Sequence, residues 1–168
     1  MAVADGTEQP DWSDVNLAHS DTLVRRMGIT ITEASAKRVV ATMPVEGNTQ
    51  PYGLLHGGAS CVLAETLGSV GAALHAGPGR FTVGIEISAT HHRAASAGLV
   101  TAVATQIHAG RTLATYEIVI TDDRGRRVCT ARLSCLLRDA VPGGSAETGS
   151  SAEADGSAEA RGNTEAAG

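Results

Sequence analysis

The sequence predicts an α+β fold in which one antiparallel sheet wraps a single long helix. Three observations carry this. The 23 residues from Gly57 to Gly79 hold one formal charge, Glu65, as befits a helix buried in a core. Four segments after it are rich in Val, Ile, Leu and Thr, the residues that suit strands. Short turn sequences join those segments, so sequence neighbours can pair antiparallel.

In chain order, residues 1–12 are polar and lack any period, and they read as a flexible N-terminus. Residues 13–27 hold a weak helical pattern in Val15, Leu17, Leu23 and Val24. From Gly28 the period becomes two. Ile29 and Ile31 alternate with Thr30 and Thr32 as a short strand, and Val39 to Val45 is its hairpin partner across a turn at Glu33–Lys37. A loop rich in turn formers, Glu46 to Gly53, leads to the helix, placed at roughly 58–75. Gly68, Ser69 and Gly71 let that helix approach a sheet closely. Its length also suits a membrane span. Its apolar content is mainly Ala and Gly, a carboxylate sits in its middle, and no second span is there to pair it, so a core helix is the better reading.

Phe81, Val83, Ile85, Ile87 and Ala89 then alternate with polar or small residues, which predicts that these five face the helix. Segments 99–108, 112–121 and 127–137 follow as strands, the last two joined by the turn Asp122 to Gly125. The folded domain is expected over 13–139. Residues 140–168, built of Gly, Ser, Ala, Glu and Thr, have little to bury and are expected to be a disordered acidic tail.

A chain of 168 residues fits one domain. Its formal charge is −5, but Val141 to Gly168 carry five acids against one Arg, so the rest is nearly neutral. That balance excludes a nucleic-acid binder, which needs a basic face to neutralise phosphates. Aromatic residues are scarce: Trp12, Tyr52, Phe81 and Tyr116. The three cysteines, Cys61, Cys129 and Cys135, have no zinc spacing, and they read as reduced core residues of a cytoplasmic protein. The first ten residues have neither the basic nor the apolar region of a signal peptide.

The chemistry centres on Glu65. A carboxylate on an apolar helix is costly to bury, and its flanks, Cys61, Val62, Leu63, Ala64, Leu67 and Val70, leave no polar stripe for it to join. Ser69 lies one helical turn on and shares its face. His56-Gly57-Gly58 stands at the helix start, where unpaired N–H groups and the helix dipole suit an oxyanion, although a plain glycine-rich cap reads equally well. Gln50, in the preceding loop, offers a neutral amide that can hold a carbonyl or a water. His91 continues the inward register of its strand; His92 faces the other way. Arg93 and Arg111 suit phosphate.

Together these residues resemble a known family. Gln50 to Ser60, followed by Leu63-Ala-Glu-Thr-Leu-Gly-Ser69, is similar to the hotdog-fold thioesterases that use a helix glutamate, of the phenylacetic-acid-degradation type. The nearest branch acts on aromatic acyl-CoA and aryl-carrier thioesters. The resemblance runs over roughly 40–138 and includes Ala89 to Arg93, Leu113 to Val119 and Asp122 to Leu133. It differs at Ala94-Ala95, where the family often has proline.

The resemblance implies the hotdog fold and the hydrolysis of an acyl-CoA thioester, with 1,4-dihydroxy-2-naphthoyl-CoA of menaquinone biosynthesis as candidate. Glu65 matches the nucleophile or general base, and the Gly57 N–H matches the oxyanion donor, with His56 helping to hold the carbonyl. Gln50 and Ser69 match residues that position the thioester and the attacking water. Gly84, then His91, His92, Arg93 and Ala94, then His108, Ala109, Gly110, Arg111, Thr112 and Leu113 match stretches that meet the acyl-CoA. The resemblance further implies neither metal nor cofactor, and a homodimer, assembling into a homotetramer, whose active sites pair Glu65 of one subunit with Gly57 of the other.

Three alternatives stand beside this reading. A proofreading thioesterase shares the chemistry but acts on a mis-acylated carrier protein. A non-catalytic acyl-CoA binding module does not need Glu65. A hotdog hydratase pairs a His with an Asp, and no Asp lies near His56 or His91 in sequence.

Overall fold

The computed structural model describes residues 22–139. The expectations for residues 1–12, for most of the 13–27 helical pattern and for the acidic tail lie outside the described residues. The elements run α1 (Leu23–Arg26), β1 (Thr30–Ala34), β2 (Arg38–Pro44), α2 (Gly57–Ala76), β3 (Arg80–His91), β4 (Leu99–Ala109), β5 (Leu113–Asp122) and β6 (Arg127–Asp139). The strands form one antiparallel sheet in the order β1-β2-β4-β5-β6-β3. The sheet curls around α2, which packs on every strand from β2 to β6. This is the hotdog fold. The hairpin turn between β5 and β6 closes through Asp122 N–H to the Arg126 carbonyl (3.0 Å), with Gly125 at φ 71°.

The inner face of the sheet and the buried side of α2 form the core, in which Leu63, Leu67, Tyr116, Ile118 and Leu133 are fully or nearly fully buried. Two glycines set the distance between the layers. A Cβ on Gly68 would lie 2.5 Å from Leu133 Cδ2, and one on Gly71 would lie 2.7 Å from Tyr116 Cε1. Tyr116 cannot retreat freely. Its hydroxyl donates to the Ala36 carbonyl (2.7 Å) and accepts from Gln106 Nε2 (3.3 Å). Gly71→Ala is therefore expected to destabilise the chain by about 1–3 kcal/mol through overpacking. Calorimetry should show a lowered melting temperature, and an unchanged one would mean that the ring yields.

The three thiols are free, and Cys129 and Cys135 are buried. Burial, with Cys61 as a neighbour, pushes the Cys129 thiol up to about 11, against a hydrogen bond from the Thr90 backbone. It is neutral at physiological pH and packs as a small apolar group.

One strand departs from its expected register. Phe81, Val83 and Ile85 do not face α2; they are 48%, 46% and 54% exposed. The cause is a bulge. Gly84 pairs with Cys135 and Glu86 with Ser134, which leaves Ile85 as an extra residue. Before the bulge the even-numbered residues face inward; after it the odd-numbered ones do, so Ile87 and Ala89 pack against the core as expected.

Candidate active site

The sheet does not close around α2. Between the edges β1 and β3 a strip of the helix stays open, with Glu65 exposed and Val62, Thr66 and Ser69 half-buried. The expectation of a buried Glu65 without a polar stripe is thereby corrected. The small side chains of Thr66 and Ser69 form that stripe where no strand covers the helix.

Glu65 is nonetheless held closely on one side. A Cβ on Gly84 would stand 2.9 Å from its Oε1, so the bulged glycine leaves the carboxylate its room. Cys135, the ladder partner of Gly84, lies beneath. Burial raises the Cys135 thiol, a hydrogen bond with Ser69 lowers it, and the nearby Glu65 charge raises it again. Glu65, Ser69, Gly84 and Cys135 are thus one cluster at mid-helix. Cys135 has no sequence signal for such a place, because strand pairing alone brings it there.

A second cluster forms at the N-terminus of α2. His56 caps the helix, its Nδ1 accepting from the Gly58 N–H at 2.8 Å. In the neutral ring this leaves Nε2–H as donor. The Gly57 N–H has no acceptor among the described residues. His91 lies over Gly57, since a Cβ there would come within 2.8 Å of its Nε2. Gln50, Gly57, His91, His92, Arg93 and Ala94 line one pocket of about 370 Å³. Gln50 Oε1 accepts from the Tyr52 N–H (2.8 Å), so only its amide NH₂ is left for a ligand. His92 sits at 2.9 Å from Thr130 Oγ1.

The third group lies at the other end of α2. In the turn from His108 to Leu113, the Gly110 N–H donates to the Leu113 carbonyl (2.8 Å), and the Gly110 carbonyl lies 3.1 Å from His75 Nε2. Arg80, which the sequence reading did not single out, donates to the Arg111 carbonyl (2.7 Å) and pairs with Asp139 (2.9 Å). Arg80, Arg111 and Arg138 line a groove of about 600 Å³ beside Thr112. These cations come together from 31 to 59 positions apart, a separation no local pattern reveals.

One chain therefore holds the expected residues in three places. Gly57 and Glu65 are eight positions apart on one helix, about 12 Å along its axis. Gly57 and His75 are about 27 Å apart. A carbonyl held at the Gly57 N–H is out of reach of Glu65 of the same chain. Among the described residues no three His, Cys, Asp or Glu side chains converge on a cation site.

Residues 52–129 match the thioesterase superfamily. Proofreading thioesterase EntH of Cronobacter turicensis is 51% identical over 121 residues, covering 71% of this chain and 88% of the relative. The protein of the same name from Klebsiella pneumoniae is 47% identical over 120 residues, with the same coverage. Among solved structures, thioesterase HI1161 of Haemophilus influenzae superposes with a TM-score of 0.72 at 37% identity, covering 76% of this chain and 90% of that one. A mutant of thioesterase PA1618 of Pseudomonas aeruginosa gives 0.75 at 37% identity, covering 79% and 97%.

Proposed function

The chain belongs to the thioesterase superfamily, and from that premise we propose that it is a proofreading thioesterase that frees mis-acylated carrier proteins of their acyl groups. The thioesterase activity is that of the family. The carrier-protein substrate rests on one observation, the relatives near 50% identity that carry the name proofreading thioesterase. Hydrolysis of 1,4-dihydroxy-2-naphthoyl-CoA takes second place for that reason.

In this reading the Gly57 N–H receives the thioester oxygen, and His56 Nε2–H lies beside it. Glu65 of the opposing subunit attacks the carbonyl carbon, or takes a proton from a water that does. Direct attack forms a mixed anhydride and expels the pantetheine thiolate, which takes up a proton; water then splits the anhydride. Thiolate is a good leaving group, so a strong acid is not required. Ser69 and Gln50 position water and thioester, and His91 walls the pocket over Gly57.

The separation of Gly57 and Glu65 supports a site shared between two copies. So does β3, a sheet edge that bears the exposed Phe81, Val83 and Ile85. Such an edge is a ready surface for pairing. Antiparallel pairing of two β3 edges runs the two α2 helices in opposite directions. Gly57 of one copy then comes toward Glu65 of the other, and His91–Ala94 of one toward His108–Leu113 of the other. The pairing of such dimers into a tetramer belongs to the same proposal.

The test compares one aroyl group on a phosphopantetheinylated carrier protein and on CoA, with free thiol as readout. A kcat/KM at least about tenfold higher on the carrier is expected. Equal or better hydrolysis of the CoA thioester, with 1,4-dihydroxy-2-naphthoyl-CoA included, would put the acyl-CoA hydrolase reading first.

A further inference from the structure

On the β1 side of the open strip lies a chamber of about 530 Å³. Leu23 and Val24 of α1, Ile31 of β1, and Val62 and Val70 of α2 wall it. Glu65, Thr66 and Ser69 complete the lining. The two hydroxyls are already engaged within the protein. Thr66 Oγ1 donates to the Val62 carbonyl at 2.8 Å, and Ser69 is hydrogen-bonded to the Cys135 thiol. No cation lines the chamber, and its one charge is the Glu65 carboxylate.

We propose that this chamber takes the acyl group and makes the enzyme selective for uncharged, apolar acyl chains or rings, with the α1 and β1 residues Leu23, Val24 and Ile31 as specificity-determining residues. The inference rests on Glu65 as the reacting carboxylate. An acyl group whose thioester carbonyl meets Glu65 has its next carbons beside Val62 and Val70, and its far end beside Leu23 and Ile31. Each methylene buried there raises kcat/KM by roughly fourfold until the chamber is full. An acyl group ending in a carboxylate meets no donor or cation and a like charge in Glu65, so its binding loses the solvation of that charge without replacement. The α1 wall is held in place from below: the Ile29 N–H donates to the Val24 carbonyl (3.0 Å), and Asn48 Nδ2 donates to the Met27 carbonyl (2.8 Å).

Hexanoyl-CoA and adipoyl-CoA test this, because they share a chain length and differ by a terminal carboxylate. The wild-type chain is expected to prefer hexanoyl-CoA by at least about 100-fold in kcat/KM. Val62→Phe, which fills the chamber, should cut hexanoyl-CoA turnover at least about tenfold while leaving acetyl-CoA within about threefold. Ile31→Arg, which adds a cation, should narrow the hexanoyl-to-adipoyl ratio at least about tenfold. Similar wild-type rates on the two thioesters, or an unchanged profile in a folded Val62→Phe chain, would overturn the proposal. If neither thioester is hydrolysed, the thioesterase reading itself fails. The thioethers hexyl-CoA and carboxypentyl-CoA then decide about the chamber through calorimetric affinities on the wild-type chain. Tighter hexyl-CoA supports it and equal affinities overturn it.

Discussion

Glu65→Gln is expected to lower kcat by about 10²–10⁴-fold or more on an aroyl thioester, with the fold intact. The amide keeps the volume of the carboxylate and its fit against Gly84, where there is no room for a Cβ. What it loses is the charge and basicity that either attack the carbonyl or take a proton from water. Because Glu65 is exposed in the single chain, its removal changes the folding energy of that chain little, and the melting temperature should move only slightly. Glu65→Asp should also be poor. Shortening the arm by one methylene withdraws the carboxylate by about an ångström, and reacting groups tolerate little misplacement. Steady-state kinetics on purified variants, with thiol release as readout, checks both. A Glu65→Gln enzyme within a few-fold of wild type would remove Glu65 from the mechanism and promote the binding-module reading.

The legible parts of this molecule were those with local physical causes. The charge-poor run around Glu65 marks α2 because one buried face and one open strip need little charge between them. The helix spans 57–76 against an expected 58–75. The pairs β1–β2 and β5–β6 follow from turns that the sequence marks openly. The register of β3 was not legible. Alternation from Phe81 to Ala89 is unbroken in sequence, and only the pairing of Gly84 and Glu86 with consecutive β6 residues shows that Ile85 bulges. Gly84 is the one local hint, since an isolated glycine in a strand often marks a bulge or a close approach. Here it is both.

The burial of Glu65 was misjudged for a related reason. Apolar neighbours in sequence surround a helix residue on all sides, while a sheet that stops at β1 and β3 covers only some of them. The arrangement of the candidate site was legible as a set of residues but not as a place. Gln50, His56, Gly57 and His91 do gather, around one helix end. Glu65, Ser69 and Gly84 gather elsewhere, and Arg80 and Arg138 join Arg111 through strand pairing alone.

Gly57→Pro is expected to lower kcat by about 10²–10³-fold, the usual loss when one oxyanion donor is removed. Proline takes away the one N–H in question and little else. Gly57 is the first helical residue, where proline is well tolerated because its N–H is unpaired. The preceding residue suits it too, since His56 has φ −70° and ψ 133°, the extended conformation that a following proline demands. The ring will press on His91, whose Nε2 would lie 2.8 Å from the new Cβ, but an exposed side chain can turn aside. Mixing this variant with Glu65→Gln then asks where the two groups meet. If each site joins Gly57 of one copy to Glu65 of the other, a mixed dimer has one intact site and one doubly broken site. Random subunit exchange should then restore roughly a quarter of wild-type activity from two nearly inactive proteins. If each chain carries its own complete site, no mixture regains activity, and the reading of a shared site falls even where both single variants behave as expected.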